Sequence, residues 1–190
     1  MHPGRPVLIA YDPRWPERAT ALTAQLAAAL DGLAERIDHI GSTAIPGMAA
    51  KDVLDLQVSV RELDAAGMAF DRPLGELGFR RSPYESDHVP AGSTGEPGDW
   101  AKRLWLRRGH PEGDVNLHVR RTGAPNERLA LLFRDWFRAH PGAVPAYGGF
   151  KVALAQIVPD TDTYADVKDP VVDLVMTLAE PWATWVGWSL

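Results

Sequence analysis

A glycine-rich turn is the first segment whose residue types suggest chemistry, since residues 39–58 read HIGSTAIPGMAAKDVLDLQV. Gly41, Ser42 and Thr43 supply bare backbone N–H groups and two hydroxyls, and Lys51 follows, a combination that can hold a phosphate. The spacing excludes a Walker loop, because methionine follows the second glycine where that motif requires lysine. It also excludes a nucleophile elbow, because glycines do not flank the serine in the required spacing. A tight structural turn is an equally good interpretation of the pattern alone.

Short polar side chains alternate with apolar ones in two further runs. In VLDLQVSV the apolar residues share one face of a strand and leave Asp55 and Gln57 on the other. In DVNLHVRR the corresponding polar positions are Asn116 and His118. If the two polar faces point the same way, Asp55 and His118 meet near the glycine turn. The alternative is a water-exposed face of an antiparallel sheet, which needs no function.

Basic side chains are concentrated between residues 100 and 121, where six of them stand against two acids in a chain of net charge -5. A small anion could be attracted to this strip, with Arg103 and Arg120 as the contacts. The alternative is a solvated strand face, because runs of surface charge usually have no specific partner.

Two Tyr-x-x-x-Lys pairs occur in the C-terminal part of the chain. Tyr147 with Lys151, and Tyr164 with Lys168, are four residues apart and therefore share one face of a helix. Such a pair can present a stacking ring and a cation to a nucleotide. Ordinary stabilisation of a helix surface is the alternative.

The elements that must position these residues can be predicted from periodicity. Leucines spaced three and four apart predict a helix over residues 17–33. RIDHIG and VLDLQVSV predict strands, and KRLWLRR with DVNLHVRR predicts a hairpin. Three helices follow, with Asn126 as the N-cap of the first and Thr161 or Thr163 as the N-cap of the last. Residues 82–100, rich in proline, glycine and acids, predict a mobile loop.

The order of helix, strands and then three helices predicts an α+β fold. We expect a mixed or antiparallel sheet backed by helices, with a helical C-terminal third. One domain is expected over residues 1–190, sheet-rich in 1–121 and helical in 122–190. Three tryptophans spaced three apart near the end are expected to share one side of the last helix, where packing explains them better than base stacking.

Composition narrows the class of protein. Hydrophobic residues make up 45% of the chain and charged residues 24%, which is typical of a folded globular protein. The absence of cysteine excludes disulfides, thiolate zinc sites and a cysteine nucleophile. No signal peptide and no long apolar run is visible, so a cytoplasmic protein with no membrane contact is expected. The acidic net charge disfavours nucleic acid as a partner.

Three segments and the two Tyr-x-x-x-Lys pairs together resemble the GrpB family: HIGSTAIPGMAAKDVLDLQV, VNLHVR and NERLALLFRDWFRAHP. The resemblance runs from about residue 11 to about residue 179. Members of this family occur alone and as a domain attached to dephospho-CoA kinase. The family is grouped with the nucleotidyltransferase fold, so the resemblance implies a helix-backed mixed sheet with Gly-Ser after its first strand and carboxylates on the next.

The same resemblance implies roles for individual residues. The Gly-Ser pair matches the contact to a nucleotide triphosphate, and Asp55 matches the first metal-binding carboxylate. Gln57 stands where a second carboxylate is expected, and Asn116 or His118 where a third is. Two-metal nucleotidyl transfer needs clustered anionic oxygens to hold two Mg²⁺ ions. One carboxylate with amides and an imidazole supplies few anionic oxygen ligands for that reaction.

The expected function is binding of a nucleotide or another phosphorylated small molecule, with nucleotidyl or phosphoryl transfer as the class of reaction. Asp55 and His118 would act in acid–base chemistry or hold a metal, and Gln57 and Asn116 would complete a Mg²⁺ site. The alternative is a non-catalytic accessory domain that binds a protein partner through its C-terminal helix. The residues expected to bind the nucleotide are Gly41, Ser42, Thr43, Lys51, Arg103, Arg120, Tyr147, Lys151 and Lys168.

Overall fold

The structure is a computed structural model and describes residues 4–30, 32–93 and 95–190. The helices are α1 (Trp15–Ala29), α2 (Leu63–Ala69), α3 (Asp71–Glu76), α4 (Pro125–Ala139), α5 (Val144–Ile157) and α6 (Thr161–Val186). The strands are β1 (Arg36–Ile40), β2 (Val53–Val60), β3 (Arg80–Arg81), β4 (Lys102–Arg107) and β5 (Asp114–Arg121). Short 3-10 turns lie at Ser42–Ala44, Pro97–Trp100 and Pro141–Ala143.

The five strands form one mixed sheet in the order β1-β2-β5-β4-β3. Strands β2 and β5 are parallel, and the other neighbours are antiparallel. The predicted hairpin of β4 and β5 is therefore confirmed. The parallel register places Asp55 opposite Asn116 and Gln57 opposite His118 at the centre of the sheet.

Alternation along β2 and β5 gives the sheet two chemically different faces. The apolar face contributes residues such as Leu56 and Leu117, both 0% exposed, to a core that α1, α2 and α3 cover. The polar face carries Asp55 and its neighbours and lies toward the C-terminal helices. Those helices pack against one another in a second core around Phe137 and Met176. The α+β fold with a helical C-terminal third is confirmed.

Several predicted boundaries differ from the structure. Helix α1 ends at Ala29, so Leu33 lies beyond it and is 44% exposed. The N-cap of α4 is Ala124 and not Asn126, because proline occupies the first helical turn. The N-cap of α6 is Asp160, whose carboxylate accepts from the backbone N–H of Thr163 at 2.7 Å. Periodicity missed α2 and α3, which are too short to display it.

Residues 82–100 do not form the free loop that composition predicted. Asp87 is held by Lys102 at 2.6 Å and by Arg120 at 2.8 Å. His88 contacts Asp173 of α6 at 3.0 Å, so the loop is attached to the sheet and to a helix. Nowhere in the described ranges does a helix have the length and apolar character required to cross a membrane.

The three tryptophans do not share one side of α6 as predicted. Trp182 packs on the second core, and its ring lies 5.6 Å from that of His140. Trp185 is 84% exposed. Trp188 lies past the end of the helix at Val186 and donates to Asp135 at 3.1 Å.

Candidate functional site

A cleft of about 410 Å³ lies between the polar face of the sheet and helices α4, α5 and α6. The sheet contributes side chains of β2, β4 and β5, and the turn after β1 closes one end. The two Tyr-x-x-x-Lys pairs of α5 and α6 supply part of the opposite wall. The predicted residues that line this cleft are Gly41, Ser42, Thr43, Lys51, Asp55, Asn116, His118, Arg120, Tyr147, Lys151 and Lys168.

The turn after β1 requires glycine at position 41. Gly41 has φ 66°, a conformation that side chains other than glycine rarely adopt. A Cβ atom there would lie 2.5 Å from Oδ2 of Asp55. The turn therefore lies directly on the Asp55 carboxylate, with Ser42 and Thr43 following in a short 3-10 turn. Thr43 is 1% exposed, and its hydroxyl lies 2.9 Å from Nε2 of His39.

Asp55 is an ionised carboxylate whose Oδ1 already contacts two neighbouring side chains. Asn116 Nδ2 donates to Oδ1 at 2.7 Å, and Nε2 of His118 lies 3.5 Å from the same atom. Burial by itself would raise the pKa of Asp55, but the contacts with His118 and Asn116 and the charge of Lys51 outweigh it and lower the pKa to about 2. The predicted meeting of Asp55 and His118 is confirmed.

The imidazole of His118 is neutral near pH 7. Burial, reinforced by the charge of Arg120, lowers its pKa below the ordinary value, and Asp55 opposes this only in part. The guanidinium of Arg120 lies 3.4 Å from Nδ1 and can only donate, so Nδ1 accepts. The ring proton therefore lies on Nε2, facing Asp55. Sequence reasoning missed His39, which is also neutral because burial lowers its pKa to about 4.

Gln57 does not face the cleft, which corrects its assignment as a metal ligand. Its side chain is 0% exposed. Its Oε1 accepts from Arg120, and its Nε2 donates to the backbone oxygen of Glu127 at 3.3 Å. The position at which the resemblance implies a second carboxylate is thus an amide that ties β2 to β5 and α4.

The donor set does not fit a two-magnesium centre. Asp55 is the one carboxylate among the predicted ligands, and its Oδ1 accepts from its neighbours. Asn116 Oδ1 accepts from Arg108. Within the described parts of the chain, no three histidine, aspartate or glutamate side chains are grouped to hold a metal ion. Mg²⁺ prefers several oxygen ligands in octahedral geometry.

Lys151 is the most deeply buried cation of the site. It is 2% exposed, and its Nζ donates to the Ser42 hydroxyl at 2.7 Å and to the Ala49 carbonyl at 2.6 Å. The same Nζ lies 5.2 Å from the centre of the Tyr147 ring. Burial lowers the pKa of Lys151 to about 7, and the neighbouring charge of Lys168 adds to the effect. Burial likewise raises the pKa of Tyr147, so its hydroxyl stays protonated.

Lys51 is half-buried, and its Nζ lies 5.8 Å from the centre of the Tyr164 ring. Burial lowers its pKa, although the nearby Asp55 opposes that change. Among the described residues, no carboxylate lies within ion-pair distance of the ammonium of Lys51 or of Lys151. Lys168, by contrast, contacts Asp169 at 3.1 Å.

Asp87 and Lys102 also line the cleft. Sequence reasoning missed Asp87 and counted Lys102 only among the basic side chains of residues 100–121. The carboxylate of Asp87 accepts from Lys102, from Arg120 and from Asn126, the last at 3.0 Å. Burial would raise the pKa of Asp87, but the charges of Arg120 and Lys102 lower it strongly. No short-range signal marks Asp87, since it comes from the segment that composition assigned to a loop.

Arg103 lies outside the cleft, which corrects its assignment as a nucleotide contact. Its guanidinium contacts Asp64 of α2 at 2.7 Å, on the side of the sheet covered by α1, α2 and α3. Lys102, the residue before it, points into the cleft because neighbouring residues on a strand face opposite ways.

Comparison with other proteins supports this description of the fold. Dephospho-CoA kinase of Mycolicibacterium paratuberculosis is 35% identical over 196 residues, which cover 96% of this chain and 48% of that protein. UPF0157 protein BH1888 of Halalkalibacterium halodurans is 30% identical over 173 residues, which cover 90% of this chain and 81% of that protein. The chain spans about half the length of the first of these curated relatives.

Solved structures share the arrangement of strands and helices. The crystal structure of the conserved protein GrpB from Enterococcus faecalis matches with a TM-score of 0.73 and 25% identity, over 93% of this chain and 99% of that one. The Cid1 poly(U) polymerase matches with a TM-score of 0.50 and 13% identity over 78% of this chain and 43% of that one, a likeness of fold alone. A family model described as GrpB protein matches residues 5–177. The chain therefore belongs to the GrpB family and has a nucleotidyltransferase-like fold.

Proposed function

We propose that this protein binds a nucleotide or another phosphorylated small molecule in the cleft, through Ser42, Lys51 and Lys151. One observation carries the proposal: two lysine ammonium groups line the same cleft as the turn after β1, and no described carboxylate lies within ion-pair distance of either of them. Unpaired buried cations are costly, and a bound phosphate would remove that cost.

The charges that line the cleft support an anionic ligand. Five lysine and arginine side chains stand against four carboxylates, an excess of one positive charge in a chain of net charge -5. Lys102 and Arg120 contact Asp87, and Lys168 contacts Asp169. Lys51 and Lys151 are left to meet a ligand, and Ser42 adds a hydroxyl that already accepts from Lys151.

The rest of the wall suits the non-phosphate part of such a ligand. Leu129, Phe133, Tyr164 and Val172 line the cleft beside the charged end. A volume of about 410 Å³ lies within the range of about 300–1,000 Å³ that small-molecule sites occupy. An adenine ring could pack on these side chains. Because several relatives are named dephospho-CoA kinase, dephospho-CoA and CoA are candidates beside ATP.

Any catalysis in this cleft would be phosphoryl or nucleotidyl transfer that relies on positioning and on charge stabilisation. Asp55 has its pKa lowered to about 2 and is therefore a weak base at neutral pH. Its proposed role is to keep His118 and Asn116 in place beneath the turn. Lys51 and Lys151 would stabilise the negative charge of the transferred group.

Calorimetric titration with ATP, dephospho-CoA, CoA and pyrophosphate tests this function. We expect saturable binding of at least one of them, weakened at least tenfold by Lys51→Met and by Lys151→Met. Arg103→Met is the matched control, since it removes a cation of β4 outside the cleft and should leave the affinity unchanged. Binding that is equally sensitive to all three substitutions, or absent for every ligand, would contradict the proposal.

A non-catalytic docking function is the alternative, and a separate observation favours it. Val167, Leu174, Leu178 and Trp185 of α6 are 47%, 64%, 58% and 84% exposed. Their spacing of seven, four and seven residues places them on one face of the helix. The partner that we propose is a dephospho-CoA kinase, because the curated relatives of that name are about twice as long as this chain.

Copurification with the dephospho-CoA kinase of the same organism tests the alternative. Leu174→Glu and Leu178→Glu should abolish a complex that light scattering detects for the unmodified protein. Ile157→Glu is the control, because Ile157 is 77% exposed at the end of α5 and lies outside the stripe. No complex with the unmodified protein would refute the docking function.

A further inference from the structure

We infer that phosphate binding in this cleft is independent of a divalent metal ion, with the ammonium groups of Lys51 and Lys151 in the place of metal charge. The inference rests on the proposed function and adds to it the class of ligand: a metal-free phosphomonoester or diphosphate. Four features of the site lead to it.

The first feature is the state of Asp55. Its Oδ1 accepts from Asn116 at 2.7 Å and faces Nε2 of His118 at 3.5 Å. Its Oδ2 lies beneath Gly41, where even a methyl group would come within 2.5 Å. A metal ion that bound Oδ1 would have to displace the Asn116 amide and the facing imidazole of His118. The carboxylate is therefore built into the floor of the site.

The second feature is the state of the two amides. Asn116 uses both ends of its side chain, since Nδ2 donates to Asp55 and Oδ1 accepts from Arg108. Gln57 is fully buried, and its oxygen accepts from Arg120. A metal ion could take these oxygens only by displacing the guanidinium donor that each of them now has.

The third feature is the remaining carboxylates of the cleft. Asp87 contacts two cations, Asp169 contacts Lys168, and Asp173 accepts from His88 and from the backbone N–H of Ala91. Each carboxylate of the wall thus has a partner within the chain. No described carboxylate lies within ion-pair distance of Lys51 or Lys151.

The fourth feature is the position of the two lysines relative to the turn. Lys151 belongs to α5, and its ammonium group donates to the Ser42 hydroxyl and to the carbonyl of Ala49, which lies in the segment before β2. Lys51 follows two residues later and reaches the same cleft. An ammonium group donates up to three hydrogen bonds and imposes no fixed coordination geometry. When both are protonated, the two ammonium groups offset about two negative charges, which matches a monoester dianion or part of a diphosphate.

Calorimetry of the full chain with pyrophosphate, and separately with ATP, in excess EDTA and in excess MgCl₂, tests the inference. We expect binding in EDTA at least as tight as in MgCl₂, because Mg²⁺ removes charge from the ligand that the lysines recognise. Asp55→Asn should retain binding within about threefold, whereas Lys151→Met should lose at least tenfold. The EDTA comparison needs only the unmodified protein, so it decides the question if Asp55→Asn does not fold.

The outcomes separate the two proposals. Binding that appears only with MgCl₂ and disappears in Asp55→Asn would overturn metal independence while leaving the proposed function intact. Binding in neither condition, for either ligand, would overturn both. Binding in EDTA that Lys51→Met and Lys151→Met leave unchanged would overturn the role of the two ammonium groups.

Discussion

Replacing Lys151 with methionine should change how the stability of the protein depends on pH. Lys151 is 2% exposed, and burial lowers its pKa from 10.5 to about 7. Between these values the unfolded chain binds a proton at this residue that the folded chain does not bind. Burial of the charged lysine therefore destabilises the folded protein fully below pH 7, and this destabilisation decreases as the pH rises toward 10.5. Lys151→Met removes that dependence.

The size of the effect follows from the two pKa values. Linkage over this interval makes the free energy of unfolding of the unmodified protein rise by about 2.5 kcal/mol between pH 6 and pH 9 relative to the variant. Titrating groups that do not interact with Lys151 contribute equally to both proteins and cancel in the difference. Methionine has a similar length and no charge, although it gives up the hydrogen bonds to Ser42 and Ala49. That loss shifts the difference by a constant and leaves its pH dependence unchanged.

Urea unfolding at pH 6, 7, 8 and 9, without added anions, measures the difference. Val152→Met is the matched control, since Val152 neighbours Lys151 on the exposed side of α5 and should reproduce the unmodified profile. A difference between the unmodified protein and Lys151→Met that stays constant within about 0.5 kcal/mol over this range would refute a lowered lysine pKa. The argument for an unpaired cation in the cleft would then fail with it.

Two further substitutions test the floor and the wall of the cleft. Gly41→Ala should destabilise the protein by about 2 kcal/mol or more in urea unfolding, because it adds a contact of 2.5 Å with Asp55 to the strain of φ 66°. Gly109→Ala is the control, because Gly109 has φ +63° with open space around it, so the substitution should cost only the backbone strain, about 1 kcal/mol. Equal losses of stability in the two variants would contradict the close approach of Gly41 to Asp55. Asp87→Asn should cost about 3 kcal/mol, because it leaves Lys102 and Arg120 without their counter-charge, and a loss below about 1 kcal/mol would show that water neutralises them.

The polar face of the sheet could be predicted from the sequence because a strand alternates with a period of two residues. Once β2 and β5 are both strands whose apolar residues face the same core, Asp55, Asn116 and His118 must lie on the same side if the strands are neighbours. Their contact depends only on pairing in register, and the structure pairs Asp55 with Asn116. The helical third was predictable for a similar reason, since the 3.6-residue period of α4 and α5 is long enough to detect.

The partners of these residues could not be predicted, because they come from distant parts of the chain. Lys151 meets Ser42 across 109 residues, and Arg120 meets Gln57 across 63. The Asp87 carboxylate reaches the sheet from a segment whose composition favours loops. Periodicity predicts the face of the sheet on which a side chain lies, but it does not predict which donor will form a hydrogen bond with that side chain.

The interpretation of the site depends on two separate properties of a polar side chain: where it lies, and whether its hydrogen-bonding groups are free to contact a ligand. Position alone makes Asp55, Gln57 and Asn116 a metal site, since each stands on the strand where a ligand is expected. In the structure a guanidinium contacts each of the two amide oxygens, and an amide donates to the carboxylate. The charges that no described carboxylate pairs with are those of Lys51 and Lys151, which favour a phosphate over a metal ion. A residue's role in such a cleft therefore depends on whether its neighbours have already used its hydrogen-bonding groups.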